Sequence, residues 1–220
     1  MFLYVAKMTV HMLPGAGFDC NIFIVTGDRP LVVDTGSGTR HARILERITK
    51  LLGGTAVEAI VLTHRHYDHT GGAAALSRDL NAPLYVHRED AAPVREGSVR
   101  GTEAQMFGGR MEPVDVNELS GGEVFSTGEH DLEVIHTPGH TIGGICLYDR
   151  VKRILLSGDT VFAGGVGRWD LATGDHGQLV ASVRGLSLLD PLDLYPGHGP
   201  CALGDGGQQV KDALTYLGVI

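Results

Sequence analysis

Five short apolar runs in this chain lead to a histidine or an aspartate, and glycine stands within two residues of four of those five. PLVVDTG carries Asp34, AIVLTH carries His64, LEVIHTPGH carries His140, RILLSGD carries Asp159 and LYPGH carries His198. Runs of this length, rich in Val, Ile and Leu and bounded by turn residues, read as strands. Ligands of α/β folds collect beyond the carboxyl ends of strands. A chain that repeats the pattern in both halves is constrained to an architecture that brings several strand ends to one place.

The most crowded of these ends is LTHRHYDHTGG, residues 62–72, with three histidines and an aspartate within six positions. Such groups cost free energy to bury unless they are bonded, so a packed core gains nothing from them. On an extended segment His64 and His66 point to one side, and the turn that follows brings Asp68 and His69 around. On a helix, positions two apart do not face each other. Neutral imidazole and carboxylate are ligands of zinc and iron. The stretch is therefore read as part of a metal site. HTPGHT, LLSGDT and LYPGHG place His140, Asp159 and His198 at three further strand ends.

Strands are expected over 21–27, 30–36, 57–63, 83–87, 132–137, 143–149 and 153–159, with GDRP as a hairpin turn between the first two. Helices are expected over 38–54, 71–81, 176–190 and 207–218, and 88–120 reads as a long loop with a short helix. Strands precede helices in both halves and no linker stands out, so residues 1–220 are read as one α/β domain. The net charge of −8 argues against nucleic acid and anionic membranes as partners. It does not exclude a small anionic substrate, because bound cations reverse the local field. Cys20, Cys146 and Cys201 are too few and too scattered for a disulfide framework, and MFLYVAKMTVHMLPG has no leader pattern, so a cytoplasmic location is expected.

The succession HxHxDH, a spaced His, then Asp, then His, covering the chain from VVDTG to PGHG, resembles the metal signature of the metallo-β-lactamase fold superfamily. The resemblance implies an αβ/βα four-layer sandwich with a two-metal site between its sheets. It implies that His64, His66 and His140 hold one ion, that Asp68, His69 and His198 hold the other, and that Asp159 bridges both. Asp68 and Asp159 would also be the catalytic carboxylates. Zinc is the first expectation for both ions, with iron or a mixed iron/zinc pair as alternatives. Asp34 in VVDTG matches a motif that supports the ligands by hydrogen bonding. His11, His41, His87, His130, His136 and His176 are read as structural or surface residues.

Within the superfamily, Asp159 stands where zinc β-lactamases of the best-known type carry a cysteine, and Phe162 stands where acyl-homoserine lactonases carry a tyrosine. SGDTVFAGGVGRWD resembles the GDxLFxxGxGRxD stretch of the glyoxalase II-like branch. That likeness implies hydrolysis of acyl thioesters by metal-activated water, with a glutathione thioester as one candidate substrate. The alternatives are a persulfide dioxygenase with a single iron and a non-catalytic metal-binding scaffold; seven ligands exceed the four of a structural zinc. About twenty residues follow His198, with Lys211 as their one basic group, so loose recognition of the thiol half is expected. Arg168 and Trp169 are candidate substrate contacts.

Overall fold

Alternate residues of a strand face opposite ways, and in this chain both ways are buried. In the NIFIV run, Ile22 and Ile24 pack on one side while Phe23 and Val25 pack on the other, and all four are nearly inaccessible. The same division holds for Val32 against Leu31 and Val33, and for Ile60 and Leu62 against Ala59 and Val61. Strands buried on both faces need cover on both, which a sheet inside a layered sandwich receives.

The computed structural model describes residues 9–219. The expectation about a leader over residues 1–15 lies partly outside them. The first sheet has six strands in the order β1 (Val10–Leu13), β2 (Ile22–Val25), β3 (Leu31–Val33), β4 (Ala59–Val61), β5 (Leu84–His87) and β6 (Asn117–Leu119). Its first three strands pair antiparallel and β3 to β6 pair parallel. The second sheet contains β7 (Val124–Ser126), β8 (Asp131–His136), β9 (Ile145–Asp149), β10 (Ile154–Gly158) and β13 (Asp193–Pro196), in the order β13-β10-β9-β8-β7. A small hairpin, β11 (Val161–Phe162) and β12 (Gly165–Val166), follows β10.

Phe23, Val25, Leu31, Val33, Val61, Leu132, Val134, Ile145, Leu147 and Leu156 form the core between the sheets. Outside the first sheet lie α1 (His41–Leu52), α3 (Ala73–Leu80) and α4 (Arg88–Arg95), which contribute Ile44, Ile48, Leu76, Ala91 and Val94 to a second core. Outside the second sheet lie α5 (His176–Ser187) and α6 (Gly206–Tyr216), with Leu179, Val183, Leu186, Val210 and Ala213 in a third. The result is the expected αβ/βα sandwich. Among the described residues, no helix is long and apolar enough to cross a membrane.

Topology places the site. β3 and β4 are parallel in the first sheet; β8 and β10 are each antiparallel to β9, and β13 is parallel to β10. Each of these strands therefore delivers its following residues to the rim it shares with its partners. The one-turn helix α2 (Tyr67–Thr70) lies after β4, with His66 as its N-cap.

Several elements depart from the sequence reading. The strands expected over 30–36 and 57–63 are only three residues each, because Asp34 turns left-handed at φ 63° and the 62–66 segment bends toward the site. The GDRP hairpin is present between β2 and β3. The segment 88–120 is the expected long loop with a helix, α4, and it also holds a 3₁₀ turn at Ala104–Phe107 and the unexpected parallel strand β6. β1, β7, β11 and β12 were not expected from the sequence.

Candidate metal centre

His64, His66 and His140 offer ring nitrogens, and Asp68, His69 and His198 offer a carboxylate oxygen and two ring nitrogens; within each group these atoms lie within 4.8 Å of one another. His64, His69 and Asp159 satisfy the same condition. The structure thus brings together all seven residues singled out in the sequence. The first four come from the segment after β4, and His140, Asp159 and His198 come from the ends of β8, β10 and β13. The site straddles the two sheets.

Glycine makes room for it. A β-carbon at Gly197 would lie 2.2 Å from Asp159 Oδ1 and 2.8 Å from His69 Cε1. Gly158 has φ 48° at the irregular end of β10, where a side chain would strike Thr63 at 2.7 Å. Only a residue without Cβ adopts that conformation there at no cost.

The surrounding bonds fix which ring nitrogens face the cluster. His69 Nδ1 donates to Asp34 Oδ2 at 2.8 Å, which leaves Nε2 with a bare lone pair. His140 Nδ1 donates to the Arg168 carbonyl at 2.7 Å, which leaves its Nε2 bare. The Thr63 hydroxyl donates to Asp34 Oδ2 at 2.9 Å and so accepts from His64 Nδ1 at 3.1 Å. Such partners set tautomer and ring orientation in metal sites.

The inner ring nitrogens then crowd on one another. His66 Nδ1 and His140 Nε2 are 2.9 Å apart, His69 Nε2 and His198 Nε2 are 3.2 Å apart, and His69 Nε2 faces Asp159 Oδ1 at 3.2 Å. His64 Nε2 and Asp159 Oδ1 are buried with no hydrogen-bond partner among the described residues. Buried polar atoms are rarely left so. Converging ring nitrogens with two orphaned buried atoms are an arrangement that cations complete, and imidazole with carboxylate is a donor set for zinc or iron.

The protonation tendencies of His64 and His66 agree. Burial, with neighbouring His69 and His140, holds His64 well below its ordinary range. Burial and His140 do the same for His66. Both favour the neutral ring that binds metal. For His69, burial is outweighed by Cys20, Asp159, Asp34 and Asp68, which push its pKa well up. The Asp159 carboxyl is held low because His69, His140 and His198 outweigh the effect of burial.

A family model described as the metallo-beta-lactamase superfamily matches residues 15–198. The chain belongs to that superfamily. Among curated proteins, the probable metallo-hydrolase MJ0888 of Methanocaldococcus jannaschii is 33% identical over 195 residues, covering 85% of this chain and 91% of the relative. The hydroxyacylglutathione hydrolase GloC of Haemophilus influenzae is 28% identical, covering 87% and 91%. The acyl-coenzyme A thioesterase MBLAC2 of Gallus gallus is 34% identical, covering 83% and 73%. Among solved structures, TTHA1623 in a di-iron-bound form superposes with a TM-score of 0.74 at 31% identity over 96% of both chains. The B3 metallo-beta-lactamase BLEG-1 gives 0.78 at 25% identity over 94% of this chain and 97% of that one.

The cavity over this cluster has a volume of about 230 Å³ and is lined in part by His66, Asp68, His140, Asp159 and His198. Arg168 reaches its wall, but its guanidinium is paired with Asp170 at 2.7 and 2.8 Å, and its carbonyl is what holds His140. Trp169 does not line the cavity; it packs against the α5 side of the third core, with its ring 4.9 Å from that of His176. Asp34 has the supporting place expected of it. The other histidines lie outside the cluster: His41 pairs with Asp79, His130 with Asp149, and His136 stacks on His87 at 3.9 Å.

Sequence reasoning passed over Asp90. Fully buried at the start of α4, it accepts from the Arg65 amide at 3.1 Å, the Thr141 hydroxyl at 2.6 Å and the Gly143 amide at 3.2 Å. It therefore ties the His64–His66 segment to the loop that carries His140. REDAA bears no local sign of this role.

Proposed function

We propose that this protein is a binuclear metallo-hydrolase of acyl thioesters, of the glyoxalase II-like branch, acting on a small anionic substrate such as a glutathione thioester. The observation that carries this reading is the position of Asp159. Its carboxylate lies 3.2 Å from His69 Nε2 and 3.6 Å from both His140 Nε2 and His198 Nε2, between the two ligand groups and on the cavity wall. Two relatives, one named as a hydroxyacylglutathione hydrolase and one as an acyl-coenzyme A thioesterase, support it.

His64, His66 and His140 would hold one divalent cation and Asp68, His69 and His198 the other, with Asp159 shared. Bound there, such ions lower the pKa of water toward neutrality and polarise a carbonyl. Asp34 and the Arg168 carbonyl keep His69 and His140 in the tautomer that points Nε2 inward. Asp68 Oδ2, 3.1 Å from His198 Nε2 at the edge of the cavity, is placed to accept the proton that the attacking water gives up. Asp68 and Asp159 offset only half the charge of two divalent cations, which leaves a positive site for an anion. A thiol of pKa about 8.5 leaves as thiolate without a proton donor, so the cavity needs no separate general acid.

The test pairs metal analysis of the purified protein with thiol release from S-lactoylglutathione and oxygen uptake with glutathione persulfide. We expect two ions per chain, thiol release and no oxygen uptake. One iron per chain with oxygen consumption would replace this reading with a dioxygenase, and metal without either activity would leave a scaffold.

A further inference from the structure

Part of the cavity wall outside the clustered residues is apolar. Met106, Phe107, Phe162 and Leu171 line it. They come from two separate places in the chain, the 3₁₀ turn at Ala104–Phe107 and the segment after β10. Behind this lining, Phe18 stacks on Phe107 with ring centroids 4.5 Å apart, although Phe18 is 41% and Met106 53% exposed. Large apolar side chains left open to water beside a polar cluster are unfavourable unless a ligand covers them.

Charge on the same wall points the same way. Glu103, nearly buried, lines the cavity, and the Arg168 guanidinium is already paired with Asp170. An anionic group lying along this wall would meet a carboxylate and aromatic rings. An alkyl or aryl group would meet apolar surface.

We infer that the site selects thioesters by an apolar acyl group, seated on Phe107, which Phe18 backs, and on Met106, Phe162 and Leu171, rather than by the thiol. The inference rests on the thioesterase reading above for the identity of the reacting group. The carbonyl faces the ligand cluster, the acyl chain runs along the aromatic wall, and the thiol half projects toward solvent. A cavity of about 230 Å³ leaves room for an acyl chain of several carbons.

The experiment uses the metal-loaded protein and one small thiol, N-acetylcysteamine, carrying acetyl, butanoyl, hexanoyl or decanoyl groups. Burial of a methylene favours binding by roughly three- to fourfold. From acetyl to hexanoyl, four methylenes, we expect kcat/KM to rise by about eighty- to 250-fold, with little further gain at decanoyl. In Met106→Ser and Phe18→Ser, both at exposed positions that the core does not need, the hexanoyl-to-acetyl ratio should fall by about three- to tenfold each. In parallel, calorimetry measures binding of the corresponding S-alkyl thioethers, which cannot be hydrolysed, to the same three proteins. Thioether affinity that climbs with chain length in the parent and flattens in the variants, without turnover of any thioester, would sustain the apolar site and remove the thioesterase reading. Turnover without dependence on chain length would sustain the thioesterase reading and overturn this inference. So would chain-length dependence that both variants keep in full.

Discussion

Asp34 shows how one residue outside a ligand set decides whether the set works. Its backbone stands at φ 63°, and its carboxylate accepts from the Thr63 amide at 2.8 Å, the Thr63 hydroxyl and His69 Nδ1. Aspartate and asparagine tolerate that backbone conformation better than other residues with a β-carbon. Asp34→Asn therefore isolates the hydrogen bond from the backbone. The asparagine amide presents N–H where His69 needs an acceptor, so the ring proton is driven to Nε2 and the lone pair leaves the cluster. We expect a folded variant that binds metal at the Asp68, His69 and His198 group about 10- to 100-fold more weakly. Metal titration followed by calorimetry measures this; affinity equal to the parent at that group would assign Asp34 to the turn alone. The seven clustered residues were legible because such sites draw on few residue types, and these stand at strand ends with fixed spacing. Asp90 was not, because its partners lie 25, 51 and 53 positions away.

At the scale of elements, the central strands were readable because burial on both faces leaves an unbroken apolar run. Their ends were not, since Asp34 and Gly158 leave the ladder through backbone conformations that composition does not announce. Helix α4 was obscured by its own sequence. REDAAPVR buries Asp90, Ala91 and Val94, and it carries Pro93, which cannot donate to the helical ladder. It is held by what it packs on rather than by propensity. β6, Asn117–Leu119, has one buried residue of three and no pattern to find. Helix α4 earns its place through Asp90, which acts as a clasp between the two ligand-bearing loops. Asp90→Ala leaves two amides and a hydroxyl without their acceptor, at about 1–3 kcal/mol for each buried group left unpaired. Some relief by water and relaxation brings the expected loss to about 3–5 kcal/mol, as for other buried networks with one partner removed. Urea denaturation measures it. Asp90→Asn, which keeps one acceptor oxygen, should lose less than half as much; equal losses in the two variants would mean that packing and not the clasp is at stake.

At the scale of the molecule, the ligand groups draw on both halves of the sandwich. His64, His66, Asp68 and His69 follow a strand of the first sheet, while His140, Asp159 and His198 follow strands of the second. The family resemblance foretold the layers, but strand order and pairing within each sheet lie in long-range contacts that short apolar runs do not encode. The consequence for stability is direct. Before metal binds, the folded chain holds ring nitrogens 2.9 and 3.2 Å apart across the junction of the sheets, and His64 Nε2 and Asp159 Oδ1 without hydrogen-bond partners among the described residues. The unfolded chain cannot assemble donors from residues 64 to 198, so metal binds the native state and stabilises it by mass action. At a free concentration a thousand times the dissociation constant, one ion adds about 4 kcal/mol. For a chain of 220 residues, each kcal/mol moves the midpoint of thermal unfolding by about 2–4 °C. One tightly bound ion should therefore raise Tm by roughly 8–16 °C over the chelated protein, and a second should add to it. His140→Ala and His198→Ala each remove a cross-sheet ligand from a different group. Each variant should keep part of the rise, and the double variant should lose nearly all of it. Calorimetric scans of the four proteins, with chelator and with excess zinc, decide the matter. A Tm that zinc does not move in the parent would mean that no ion joins the two sheets.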